Sequence, residues 1–170
     1  MNSKCWKKFL ASGLLIGTVL SLAGCGGSGG SNWDIFDEFT NDMTAEEVKK
    51  ALGEPFEEDE DGDLYYQNIE LCKSCGLTGE LEINIDSSDK TVYFVEWDFD
   101  TGEQTVDDYT DETQAIYDHF TEKYGEAEPY TNHSYNWYQT DNQGPAGSPR
   151  YMLDLDSNRQ LIRMFVDFEG

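Results

Sequence analysis

Two cysteines three positions apart, in Cys72-Lys73-Ser74-Cys75-Gly76, are the side chains with the widest choice of chemistry in this chain. That spacing serves a structural disulfide, a redox dithiol or one half of a zinc site. A redox dithiol works at the start of a helix behind a buried strand, where the helix dipole lowers the thiol pKa. Here the pair lies between strand-like residues 65–71 and 80–85, and no helix is expected to begin. Zinc needs two further ligands. His119 and His133 are the only imidazoles, at no recognised spacing, and each reads as a surface histidine, one on a helix flank and one in a polar loop. A disulfide closing a hairpin loop is therefore the leading reading, with redox and metal chemistry as alternatives. Closing so small a loop contributes about 2 kcal/mol in the chain-entropy model.

Carboxylates are the other reactive population, 35 against 11 lysines and arginines. The run Asp59-Glu60-Asp61-Gly62-Asp63 invites a calcium loop. With Gly62 at the sixth position, Glu57 would stand first and Asn68 last, whereas calcium loops need Asp first and a bidentate Glu last. The run instead reads as a tight turn with Asp61-Gly62 at its corner. Weak binding of divalent cations by the acidic surface stays open. No single carboxylate pair is informative in so acidic a chain. No Gly-x-Ser-x-Gly elbow joins a strand to a helix, and neither His-Glu-x-x-His nor a glycine-rich phosphate loop occurs. No catalysis and no cofactor are expected.

The N-terminus says where these groups work. Lys4, Lys7 and Lys8 precede an apolar run over residues 9–22 that is too short for a good membrane span, the layout of a secretory signal. It ends in Leu22-Ala23-Gly24-Cys25, which resembles the lipobox of bacterial lipoproteins. That resemblance implies cleavage before Cys25 and a diacylglycerol on its sulfur, and two acyl chains make a stable anchor where one would not. Residues 1–24 are then a signal peptide, and residues 25–32 a lipidated cysteine with a Gly/Ser tether. The six-residue GGSGGS stretch reaches only about 15 Å, so the folded part stays close to the membrane. Losing three lysines and no acid takes the formal charge from −24 to −27. Such a surface repels nucleic acid and anionic lipid headgroups. Cys5 leaves with the signal and Cys25 takes lipid. Cys72 and Cys75 are left as a pair in an oxidising compartment, where a disulfide is the usual outcome.

The elements that must position these residues follow from local pattern. Trp33, Phe36, Phe39 and Met43 recur at helical spacing, as a short amphipathic helix or an apolar arm. Thr44 and Glu47 form a capping box, Val48, Ala51 and Leu52 one apolar face, and Gly53 with Pro55 a stop. Leu81, Ile83 and Ile85 alternate with polar residues as a half-buried strand, and residues 91–99 are the most apolar strand. Asp111 is read as the cap of a longer helix with Ile116, Phe120 and Tyr124 on one face, stopped by Gly125.

The second half then echoes the first at offsets of about 70 residues: Leu52-Gly53-Glu54-Pro55 with Tyr124-Gly125-Glu126, residues 81–87 with 151–157. The long loop over residues 68–79 corresponds to residues 140–149. The expectation is an α+β fold of two tandem helix–strand–strand–strand repeats, residues 33–100 and 101–170, with an antiparallel sheet and helices on one face. The motif Met43-Thr44, Glu47-Val48, Leu52-Gly53-Glu54-Pro55 followed by three strands resembles the repeat of small SmpA/OmlA-type envelope lipoproteins and of tandem-repeat β-lactamase inhibitory proteins. What this resemblance implies is a non-catalytic protein-binding scaffold that uses loops and one sheet face.

The functional expectation is thus a lipid-anchored, extracytoplasmic protein-binding module on the outer face of the cytoplasmic membrane, with the outer membrane as second choice. Its partners would be the membrane, through the lipid on Cys25, and a protein. The alternatives are an inhibitor of an exported enzyme, an envelope assembly factor or a thiol-redox protein. Candidate contact residues are Tyr65, Tyr66, Trp97, Tyr135, Trp137 and Tyr138, of which strand alternation places about half in the core.

Overall fold

The computed structural model describes residues 33–138 and 149–168. The signal, the lipidation site Cys25, the tether and most of the loop at residues 140–149 lie outside the described residues. Among those described, no helix is long and apolar enough to cross a membrane.

The chain opens with an arm whose 3₁₀ turn, Ile35–Glu38, is capped by the Asp34 carboxylate accepting from the Phe36 N–H at 3.1 Å. Helix α1 (Ala45–Leu52) starts at the Thr44–Glu47 box, where Glu47 accepts the Thr44 N–H at 2.9 Å, and ends at Gly53 in a positive-φ conformation. Four strands follow: β1 (Glu57–Glu58), β2 (Leu64–Glu70), β3 (Thr78–Ile85) and β4 (Val92–Asp100). The Asp59 carboxylate collects the N–H groups of Asp61, Gly62 and Asp63, so the acidic run is a turn, the one joining β1 to β2. A second 3₁₀ turn, Val106–Tyr109, leads into helix α2 (Thr110–Tyr124). The helical stretch therefore begins earlier than a cap at Asp111 predicts, because Thr105 and Asp108 form a capping box of their own. Strands β5 (Glu128–Thr131), β6 (Ser134–Tyr138), β7 (Arg150–Asp156) and β8 (Leu161–Asp167) complete the fold.

All eight strands form one antiparallel sheet in the order β1-β2-β3-β4-β8-β7-β6-β5. This corrects the expected α+β pair of tandem helix–strand–strand–strand repeats. The described fold is dominated by its sheet, with only two α-helices, and one continuous ladder runs through it. Seven residue pairs between β4 and β8, from Phe94↔Asp167 to Asp100↔Leu161, join its two sides. Pattern reading missed β1 and β5 because both are short, fully exposed edge strands without apolar alternation, so pairing alone creates them.

One core lies on one face of the sheet. Leu64, Leu81, Ile83, Val95, Trp97, Leu153, Ile162, Met164 and Val166 point into it and meet Phe36 of the arm, Val48 of α1 and Ile116 and Phe120 of α2. Phe36 stands edge-on to Phe120 and to Tyr151, with ring centroids 6.2 and 6.1 Å away. With both helices and the arm on this face, strand alternation sends the intervening side chains to the opposite one.

Candidate functional site

The face opposite the helices is laid out by strand register. Pairing sets Tyr65 beside Glu82, Glu82 beside Glu96, and Glu80 beside Asp98. Across the β4–β8 ladder, Glu96 stands beside Phe165 and Asp98 beside Arg163, with Asp154 on the far side of Arg163. Of these, Glu80, Glu82, Glu96, Asp98 and Arg163, joined by Asp100 and Arg159, line an open groove of about 850 Å³ across β3, β4 and β8. An adjoining recess of about 170 Å³ extends it toward Phe56 and Tyr65. Gly79 belongs to this floor for a steric reason. A Cβ there would stand 2.2 Å from the Asp98 carbonyl oxygen, so only glycine lets β3 lie this close to β4.

Negative charge exceeds positive in the groove. Arg163 lies 3.4 Å from Glu96 and 3.6 Å from Asp98. Asp98 Oδ1 and Arg163 Nε are both buried and lack a hydrogen-bond partner, so their ion pair is a Coulombic contact without a bond. Burial, and next the neighbouring Glu96 carboxylate, push the Asp98 carboxyl up to about 7. Burial and Glu96 raise Glu82 in the same direction, and burial raises Asp154. Burial and the Glu82 charge likewise hold the Tyr65 phenol well above its usual value.

A second polar cluster sits inside the helix face. Asp34, fully buried, takes His119 Nε2 at 3.1 Å and Lys123 Nζ at 2.8 Å, and Lys123 also reaches Asp37. Ser74 Oγ stands 3.4 Å from His119 Nδ1. This corrects the reading of His119 as a surface side chain, since its partner is 85 positions away and invisible to local pattern. The order serine–histidine–aspartate resembles a proton relay. However, the Lys123 ammonium already compensates the carboxylate that would support an imidazolium. Burial opposes the Lys123 charge, but Asp34 and Asp37 outweigh it and hold its pKa above the ordinary value. The cluster works as a clasp between arm, loop and α2. Beside it, Cys72 and Cys75 are buried and disulfide-bonded, with Cα atoms 5.3 Å apart, and Cys72 makes a β-bridge to Asp34.

The six aromatic candidates separate cleanly. Tyr66, Trp97 and Trp137 are core side chains. The Trp97 indole donates to the Ile69 carbonyl at 2.9 Å, the Trp137 indole to Thr121 and the Tyr66 hydroxyl to the Gly53 carbonyl. Tyr135 is half-buried against Tyr117 of α2, with ring centroids 5.0 Å apart. Register puts Tyr65 and Tyr138 on the open face. The groove's carboxylates and Arg163 were absent from the candidates, and the signal that could have found them was polar residues alternating with core positions on adjacent strands.

The architecture is thus a single antiparallel sheet with helices on one face and a charged groove on the other. No family model matches this chain, and searches of curated proteins and of solved structures return no match either.

Proposed function

We propose that this chain is a lipid-anchored, extracytoplasmic, non-catalytic module that docks a protein on the open face of its sheet. The observation that carries the docking reading is the groove of about 850 Å³ on the face that neither helix packs against. A polar, partly open surface of that kind matches protein contact better than the enclosed, apolar pocket usual for small molecules. The anchor reading rests on the basic start, the short apolar run and Leu22-Ala23-Gly24-Cys25. Inhibition of an exported enzyme would be one use of the same face.

The test is site-specific photocrosslinking in the native membrane. A crosslinker at Gln67, exposed at the groove, is compared with one at Glu122, exposed on α2. A discrete adduct from position 67 and none from position 122 is the expected result. Adducts only from position 122 would end the docking reading. Release of Cys25→Ser from the membrane fraction is the expected sign of the anchor, and its retention there would end that part.

A further inference from the structure

Resting on this docking reading, we propose that the segment occupying the groove is cationic, a lysine or arginine flanked by aromatic or aliphatic side chains. The carboxylates converge from two strands, Glu80 and Glu82 on β3 with Glu96, Asp98 and Asp100 on β4, and the cations lining the groove with them are Arg163 and Arg159, the latter paired with Asp156. Two guanidiniums do not balance five carboxylates. Arg163 reaches Glu96 and Asp98, and among the described residues Glu80, Glu82 and Asp100 stand in no ion pair. A further cation entering from the open side supplies the charge and donors that these two arginines do not. The groove is large enough to admit a long side chain together with its neighbours.

The ends of the groove select a peptide over a free polyamine. Phe56, 70% exposed, stands with Tyr65 at the recess. Leu161 lines the other end. An exposed phenylalanine beside a carboxylate floor offers apolar contact to the residues flanking a cation and a ring face to the cation itself. Anionic partners are repelled by the same floor.

The probe is an acetylated, amidated peptide alternating phenylalanine with arginine, binding to the full chain in detergent by fluorescence anisotropy at physiological salt. Glu96→Gln with Asp98→Asn is expected to weaken binding at least about tenfold, as for loss of partly buried charge partners. Glu103→Gln with Glu126→Gln removes the same formal charge from exposed positions outside the groove and is expected to change binding by less than about twofold. Phe56→Ala, at an exposed side chain, is expected to weaken the peptide while leaving spermidine unaffected. Equal weakening by the two charge pairs would show bulk charge acting alone and overturn the proposal. Spermidine binding as tightly as the peptide would overturn it in favour of a small polycation. No binding of the peptide would overturn it too, while an adduct from position 67 would keep the docking reading standing.

Discussion

Asp98 is where burial and charge meet most sharply in this protein. Glu96 on its own strand, Glu80 and Glu82 on β3 and Arg163 on β8 all face it. Its carboxyl is raised to about 7 in the folded chain, against about 3.9 when unfolded. Between those values the folded state binds more protons than the unfolded one, so stability falls as pH rises from about 4 to about 7, and the deficit persists above. Asp98→Asn keeps the shape and removes the charge. It is expected to raise Tm by several degrees at pH 8 and to change it little at pH 5, read by thermal melts at both values. A lower Tm at pH 8 would instead make the Arg163 contact the dominant interaction of this side chain.

At the scale of elements, the arm is held by hydrogen bonds that only the folded chain assembles. The Ile35 N–H donates to the Leu71 carbonyl at 2.9 Å, and the Asp34 carboxylate beneath it binds His119 and Lys123. Removing that carboxylate strips His119 and the Phe36 N–H of their partner and leaves Lys123 with Asp37 alone, so Asp34→Ala is expected to cost about 2–3 kcal/mol. Ser74→Ala, which removes long contacts to His119 at 3.4 Å and Cys72 Sγ at 3.6 Å from an exposed residue, should cost under about 1 kcal/mol by the surface-substitution norm. Urea midpoints measure both, and amide exchange at Ile35 should accelerate only in the first. This element also marks the limit of what the sequence declares. The Thr44–Glu47 cap, the Gly53 and Gly125 stops and the alternation of Leu81, Ile83 and Ile85 are local rules, and α1, β3 and the end of α2 stand where those rules put them. Edge strands β1 and β5 and the burial of His119 depend on residues far apart in the chain. The groove is intermediate. Its carboxylates occupy the polar positions of readable strands, but which of them meet is decided by the β3–β4 and β4–β8 registers, and register is a tertiary fact.

For the molecule as a whole, the charge excess sets how it responds to its surroundings. A formal charge of −24 is carried by a chain whose described ion pairs use Lys49, Lys123, Arg150, Arg159 and Arg163, and the remaining acids repel one another through solvent. Screening shortens that repulsion to about 10 Å at 0.1 M salt, so Tm is expected to climb with sodium chloride and then level off. Divalent cations should act at lower concentration, because a diffuse atmosphere weights charge steeply. Among the described residues, no group of three or more histidine, cysteine or acidic side chains is arranged to hold a metal. Calcium and magnesium should therefore be interchangeable, each with a midpoint in the millimolar range and no saturable site. A site built of protein oxygens would separate them, since magnesium demands a tighter octahedron and gives up its water reluctantly. Calorimetric titration at matched ionic strength makes the comparison. A calcium isotherm saturating at micromolar concentration, with magnesium silent, would mean that the turn at Asp59 or the groove at Asp98 coordinates an ion directly. Equal, shallow curves would place the cations in the atmosphere, and would predict in turn that a cationic partner gains part of its affinity by releasing them, so that its binding weakens as divalent concentration rises.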